Sequence, residues 1–202
     1  MRLTYALSAF WIRALIRIVF GLRIKGLDRI PKRSQAIIAV NHQSYLDPPV
    51  VGACLGREAH FLAMEPLFRH PILGPLVRYF NAMPVGSVRL DLGAFRKVVE
   101  ILQQGGAVVV FPEGGRSQTG DLQKGESGVG FLAAQTGVDV YPVYIKNTRL
   151  TWRRLRVRRP IEVIFGEPIR YQASGQGPKR QAYRAFSQQV MEKIAALKAA
   201  NL

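Results

Sequence analysis

The sequence predicts an α/β fold, a single-domain mixed sheet flanked by helices, with a separate amphipathic helix at the amino terminus. Three observations carry this. Two short apolar runs, Ala36–Val40 and Ala107–Phe111, are bounded by polar or glycine-containing turns and have the length and composition of strands buried on both faces. Stretches with helical signals alternate with them. The chain has 202 residues and is 48% hydrophobic, enough to enclose one sizeable core.

The first 24 residues, MRLTYALSAFWIRALIRIVFGLRI, form a distinct segment. A spanning helix needs about 20 nearly uninterrupted apolar residues. Arg13 and Arg17, one helical turn apart on one face, interrupt this one. Charges deep in a bilayer are costly, so the segment reads as an interfacial helix, with Phe10, Trp11, Ile18 and Phe20 entering lipid and the arginines meeting anionic headgroups. A helix packed on the protein's own core would show the same periodicity. A signal peptide fits poorly, because the apolar run carries charges and continues past any small-residue cleavage site.

Residues 25–202 read as one domain. Residues 26–35, GLDRIPKRSQ, are a polar turn region, and the strand Ala36–Val40 then runs directly into Asn41-His42. Open α/β sheets place ligands at such carboxyl ends of strands. Asp47 precedes Pro48, which predicts an extended backbone at Asp47 and a helix from Pro48 to about Leu55. A helix through Arg96–Leu102 stops at Gly105-Gly106, and the second strand, Ala107–Phe111, delivers Glu113 to Arg116 into a loop. A helix near 129–135, a strand near 140–145, a basic stretch at 149–159 and a strand at 161–165 come next. Tyr183, Phe186, Val190, Ile194 and Leu197 then mark the apolar stripe of a closing helix. The chain shows no internal repeat, and its one short Gly/Ser/Gln-rich stretch lies at 173–178.

Lys and Arg number 29 against 13 Asp and Glu, a formal net charge of +16. Such a charge calls for an acidic partner: nucleic acid, an anionic membrane surface, an acidic carrier protein or a phosphorylated substrate. No recognition motif accompanies the basic residues, so nucleic acid is not expected. The lone Cys54 excludes an internal disulfide and fits a reducing cytoplasm. The three histidines are scattered, and no Cys/His cluster has metal-ligand spacing, so no metal site is expected.

Two motifs carry chemistry. Asn41-His42 with Asp47 joins a candidate base to a carboxylate that can hold its tautomer, and such a histidine can take a proton from a hydroxyl near neutral pH. Phe111-Pro112-Glu113-Gly114-Gly115-Arg116-Ser117 supplies glycines whose amides can approach an anion and a guanidinium that can grip two phosphate oxygens. Together they suggest acyl transfer to an alcohol on a phosphorylated acceptor. Each residue has a structural alternative. His42 can be an ordinary loop histidine, Asp47 a helix N-cap, Ser117 another cap, and Glu113 a brace for its loop or for Arg116.

The motifs NHQSYLD and FPEGGRS resemble the first and third signatures of the glycerolipid acyltransferases, the PlsC-like lysophosphatidic acid acyltransferase family. Those signatures read N-H-x-x-x-x-D and F-P-E-G-T-R-S. FLAMEPLF at 61–68, AMPV at 82–85, LQKGESG at 122–128 and VYPVYIKN at 140–147 stand in the family's order, so the resemblance covers roughly residues 25–170. It implies a glycerol-3-phosphate acyltransferase-like fold. It also implies that His42, oriented by Asp47, deprotonates the free hydroxyl of a lysophospholipid acceptor, 1-acyl-glycerol-3-phosphate, which attacks acyl-CoA or acyl-carrier protein to give phosphatidic acid. The thioester is a co-substrate and no cofactor is implied. Asn41, Glu113, Gly114, Gly115, Arg116 and Ser117 would bind substrate, with Arg89 and Lys124 as further anion contacts or merely solvated cations. The implied location is the cytoplasmic face of the cell membrane, peripheral or monotopic.

Two departures bear on the substrate. Gly115 stands where the family's signature has threonine, and Met64 where a lysine is common in FLAMEPLF-like segments. A different lysolipid acceptor therefore stays open, as does a non-catalytic peripheral membrane protein that binds anionic lipid through the same basic face.

Overall fold

A seven-stranded sheet, β1 (Leu22–Lys25), β2 (Ala36–Val40), β3 (His60–Met64), β4 (Ala82–Val85), β5 (Ala107–Val110), β6 (Val140–Lys146) and β7 (Ile161–Phe165), runs through the computed structural model in the order β1-β7-β6-β2-β5-β3-β4. The structure describes residues 2–71, 73–85, 92–149, 159–173 and 178–201. Arg89, most of the basic stretch at 149–159 and most of the 173–178 stretch lie outside the described residues. All neighbouring strands are parallel except β6 and β7, so the sheet is mixed, as expected.

The period-two alternation of strands divides the core in two. Ala36, Ile38 and Val40 of β2, with Ala107 and Val109 of β5, face one layer, which holds α1 (Leu3–Phe20) and α2 (Asp47–Cys54). Ile37, Ala39, Val108 and Val110 face the other, which holds α5 (Leu92–Gln103), α6 (Gly128–Thr136) and α7 (Lys179–Ala199). Two short helices, α3 (Glu65–Arg69) and α4 (Leu73–Tyr79), connect β3 to β4. The expected stripe on α7 is real: Phe186, Val190 and Ile194 are buried. Gly125 and Gly128 of the LQKGESG segment, with Gly130, let α6 and its approach sit close to their neighbours. A Cβ at Gly125 would meet the Ser187 carbonyl at 2.6 Å, one at Gly128 the Phe95 ring at 3.3 Å, and one at Gly130 the Tyr183 carbonyl of α7.

The amino-terminal segment differs in part from its expectation. Residues 22–25 are the edge strand β1, paired with β7 from Leu22↔Ile161 to Lys25↔Ile164. Helix α1 is long and apolar enough, by length and composition, to cross a membrane, yet Tyr5 and Ile16 are buried and Phe20 packs on the core cluster. Phe20 therefore belongs to the inner face rather than the lipid face. Leu3, Leu7, Phe10, Trp11, Leu15, Ile18 and Val19 remain exposed. Asp47 also departs from expectation: it opens α2 instead of standing extended before Pro48. Its N–H donates to the Ser44 carbonyl at 3.1 Å, and this turn outweighs the steric preference that proline imposes.

Candidate active site

The carboxyl ends of β2, β5 and β6 lie side by side, so the loops that leave these three strands meet at one end of the sheet. From β2 comes His42, whose side chain is 15% exposed. Its Nδ1 lies 2.9 Å from Asp47 Oδ2. That oxygen also accepts the N–H groups of Gln43 and Ser44, each at 2.7 Å, while Oδ1 accepts from the Thr148 hydroxyl at 2.5 Å. A carboxylate so surrounded by donors accepts from Nδ1 as well, which puts the imidazole proton on Nδ1 and leaves Nε2 as the basic nitrogen. The amides that Asp47 accepts precede α2, and no side chain caps that helix, so its carboxylate is not an N-cap. The ring of His42 stacks on Phe111, centroids 4.1 Å apart, which fixes its plane.

The FPEGGRS loop leaves β5 and grips the backbone of His42 from both sides. Glu113 Oε1 accepts the His42 N–H at 2.8 Å, and the Ser117 N–H donates to the His42 carbonyl at 2.8 Å. Glu113 Oε2 accepts the Gln123 N–H at 3.1 Å. Burial pushes the Glu113 pKa up, and the two amides oppose that shift. Glu113 thus braces two loops, one of the roles its sequence reading offered, with one carboxylate oxygen on each main-chain amide. Asn41 likewise serves main chain. Its amide exchanges two hydrogen bonds with the Ile145 main chain, at 3.0 and 2.8 Å, and is buried. Ser117 is buried in the loop, where its Oγ accepts the Gly120 N–H at 2.9 Å, so it caps no helix.

Gly114 and Gly115 are exposed at the tip of this loop and Arg116 is half-buried beside them. Gly114 takes a left-handed φ of 69°, and a Cβ on Gly115 would meet nothing within 4 Å, so the loop surface there is open. The Arg116 guanidinium lies over the Tyr45 ring at 3.6 Å. A stacked guanidinium keeps its N–H edges in the plane, available for an oxyanion. Lys124 is exposed, one residue from the amide that Glu113 holds. Beside the same loop, Arg149 donates to the Gln118 carbonyl at 2.6 Å.

Residues 21–146, more than half of the chain, match the Acyltransferase family. The chain belongs to that family. The match takes in both motifs and every contact just described except those of Thr148 and Arg149. The chain is 30% identical over 145 residues to the chloroplastic 1-acyl-sn-glycerol-3-phosphate acyltransferase of Arabidopsis thaliana, covering 70% of this chain and 40% of that one. A Borreliella burgdorferi enzyme of the same name is 30% identical over 149 residues, 70% of this chain and 60% of the relative. The chain thus spans less than two thirds of either. A third such enzyme, from Bacillus subtilis, is 21% identical over 94% of both chains. The crystal structure of the Thermotoga maritima 1-acyl-sn-glycerophosphate acyltransferase, PlsC, superposes with a TM-score of 0.69 at 24% identity, over 95% of this chain and 80% of that one, and so shares the Acyltransferase fold.

Gln43, Tyr45, Phe111 and Thr148 escaped sequence reasoning as site residues. The first two fall inside NHQSYLD at positions that its signature leaves open. Thr148 lies just after β6, and the rule that strand ends build sites would have found it once β6 was known to lie beside β2.

Proposed function

We propose that the protein transfers an acyl group from an acyl thioester to the free hydroxyl of 1-acyl-glycerol-3-phosphate, forming phosphatidic acid. The observation that carries this reading is the His42–Asp47 pair, with Nε2 left as base, bound through the backbone of His42 to the loop that bears Arg116. The names of the Arabidopsis, Borreliella and Bacillus relatives favour the same acceptor.

In this mechanism Nε2 takes the hydroxyl proton as the oxygen attacks the thioester carbonyl. The tetrahedral intermediate collapses, the C–S bond breaks, and the imidazolium returns its proton to the departing sulfur. The Asp47 carboxylate stabilises the imidazolium in between. No covalent acyl-enzyme is required, and Cys54 lies outside both motifs, fully buried in the core, where burial pushes its thiol up to about 12. Arg116, with the Gly115 amide on the open face of the loop, holds the acceptor phosphate, while the Gly114 N–H closes the turn by donating to the Phe111 carbonyl at 3.1 Å. Both acyl-CoA and acyl-carrier protein carry the required thioester, and both are acidic partners for a chain of net charge +16.

Helix α1 serves as the membrane element and the residues after it as the transferase domain. The exposed apolar face of α1 contains no carboxylate and has exposed Arg17 at its margin, which suits a monotopic seat on an anionic, cytoplasmic leaflet, whereas Arg13 is half-buried on the side toward Cys54. Leu76 and Tyr79 of α4 extend that face, tied to it by a 2.7 Å hydrogen bond between the hydroxyls of Ser8 and Tyr79.

Purified protein incubated with lysophosphatidic acid and each thioester tests the reading. Phosphatidic acid detected by mass supports it. Binding to anionic liposomes with no product would replace it with a non-catalytic lipid-binding role.

A further inference from the structure

We infer that Thr148 is a positioning residue of the His42–Asp47 pair, and that the turn after β6 is the third segment from which the site is built. The inference rests on the reading of His42 as the base.

Asp47 has two carboxylate oxygens with unequal duties. Oδ2 accepts three hydrogen bonds, from His42 Nδ1 and from the amides of Gln43 and Ser44. Those donors lie within five residues of Asp47, so they move with its own loop. Oδ1 has a different kind of partner, the hydroxyl of Thr148, 101 residues away in sequence. Both side chains are fully buried. A hydroxyl that donates to Oδ1 prevents rotation of the carboxylate about its Cβ–Cγ bond, and so aims Oδ2 at Nδ1.

The turn that carries Thr148 is itself anchored. The Ile145 carbonyl accepts from both Asn41 Nδ2 and Gln43 Nε2, at 3.0 and 2.6 Å. Asn147 takes a left-handed φ of 64° and donates through Nδ2 to the Pro160 carbonyl at 2.8 Å. Arg149 reaches the Gln118 carbonyl on the far side. Thr148 therefore sits between the base and the anion loop on backbone that is held at both ends, the arrangement that keeps a catalytic group within a fraction of an ångström of its working geometry.

The test compares Thr148→Val, which removes the hydroxyl while keeping the shape, with Thr148→Ser, which keeps the hydroxyl. Thr148→Ala, which only deletes atoms, serves if the valine variant does not fold. A charge-assisted hydrogen bond lost in this position should lower kcat roughly 10- to 100-fold. The KM for lysophosphatidic acid should stay within about twofold, because no substrate contact is touched. Thr148→Ser should restore most of the rate, and the His42 Nδ1–H proton resonance should shift in the valine variant and not in the serine one. Wild-type kcat in Thr148→Val or Thr148→Ala, a loss confined to KM, or an equal loss in Thr148→Ser would overturn the assignment. His42→Ala run in parallel separates the two readings. If that variant turns over normally, the base assignment itself has failed. If it is inactive while Thr148→Val and Thr148→Ala are unimpaired, only the role of Thr148 has.

Discussion

The Glu113 carboxylate accepts the main-chain N–H of His42 at 2.8 Å, across 71 residues of sequence. With the Ser117 N–H on the His42 carbonyl, this bond makes the two motifs one rigid body, so the base and the arginine loop are positioned by the same contacts. Replacing the brace should disturb catalysis without touching substrate. Glu113→Gln keeps one acceptor but turns an NH2 group toward an amide N–H, and a kcat loss on the order of 10-fold is expected with little change in KM.

The same substitution has a pH signature. Burial raises the Glu113 pKa in the folded state, so folding favours its protonated form. Its contribution to stability is full below the unfolded value of 4.5 and is lost as pH rises through the raised folded value. Glutamine does not titrate, so the melting-temperature difference between Glu113→Gln and wild type should move in favour of the variant as pH rises through that window. A difference that is flat with pH, or moves the other way, contradicts the assigned cause.

Arg116 lies on the Tyr45 ring, which gives its guanidinium a defined plane. Arg116→Ala should raise the acceptor KM by roughly 10- to 100-fold, and Arg116→Lys should rescue only part of it, since an ammonium cannot reproduce the two-point grip. Kinetics with monoacylglycerol, which lacks the phosphate, are the control. Equal impairment toward both acceptors would remove the phosphate from the account of Arg116.

On α1, deletion is a poor probe of membrane attachment, because it would also take Tyr5 and Ile16 out of the core. Phe10→Glu and Trp11→Glu change only exposed side chains. Both should release the protein from anionic liposomes while leaving its melting temperature near that of wild type and sparing activity on a dispersed short-chain acceptor. Salt should weaken the binding of the intact protein without abolishing it. Each basic residue at an anionic surface contributes on the order of 1 kcal/mol that salt can screen, and the apolar part is left. Protection of the amino terminus from protease on sealed vesicles would instead mark a spanning helix.

How far each element can be read from the sequence depends on its physics. The strands β2 and β5 announce themselves because a strand buried on both faces must be apolar throughout. The edge strands do not. Leu22-Arg23-Ile24-Lys25 is four residues long, alternates partly buried with exposed positions, and merges in sequence with the apolar helix before it. The strand β4 contains Pro84, tolerable only because it lies at the other edge of the sheet. At the site, His42, Asp47 and the glycine-arginine loop were legible because their chemistry is local to two motifs. The role of Asn41 was not, and for Glu113 the bracing role stood only as one alternative, since which main-chain group a buried amide or carboxylate meets depends on the strand that packs beside it. In both cases the polar side chain satisfies backbone and holds the site together, which neither its type nor its spacing discloses.

The central claim is that His42 takes the acceptor's proton, and the most direct measurement is the rate of phosphatidic acid formation by His42→Ala beside wild type, with lysophosphatidic acid and an acyl thioester at saturation. A base held by Asp47 contributes about 100- to 10,000-fold, so turnover should fall by at least that lower factor while liposome binding and melting temperature stay near wild type. Asp47→Asn, which takes the carboxylate from Nδ1, should be severely impaired as well. Near-normal turnover by a folded, membrane-bound His42→Ala protein would contradict the mechanism.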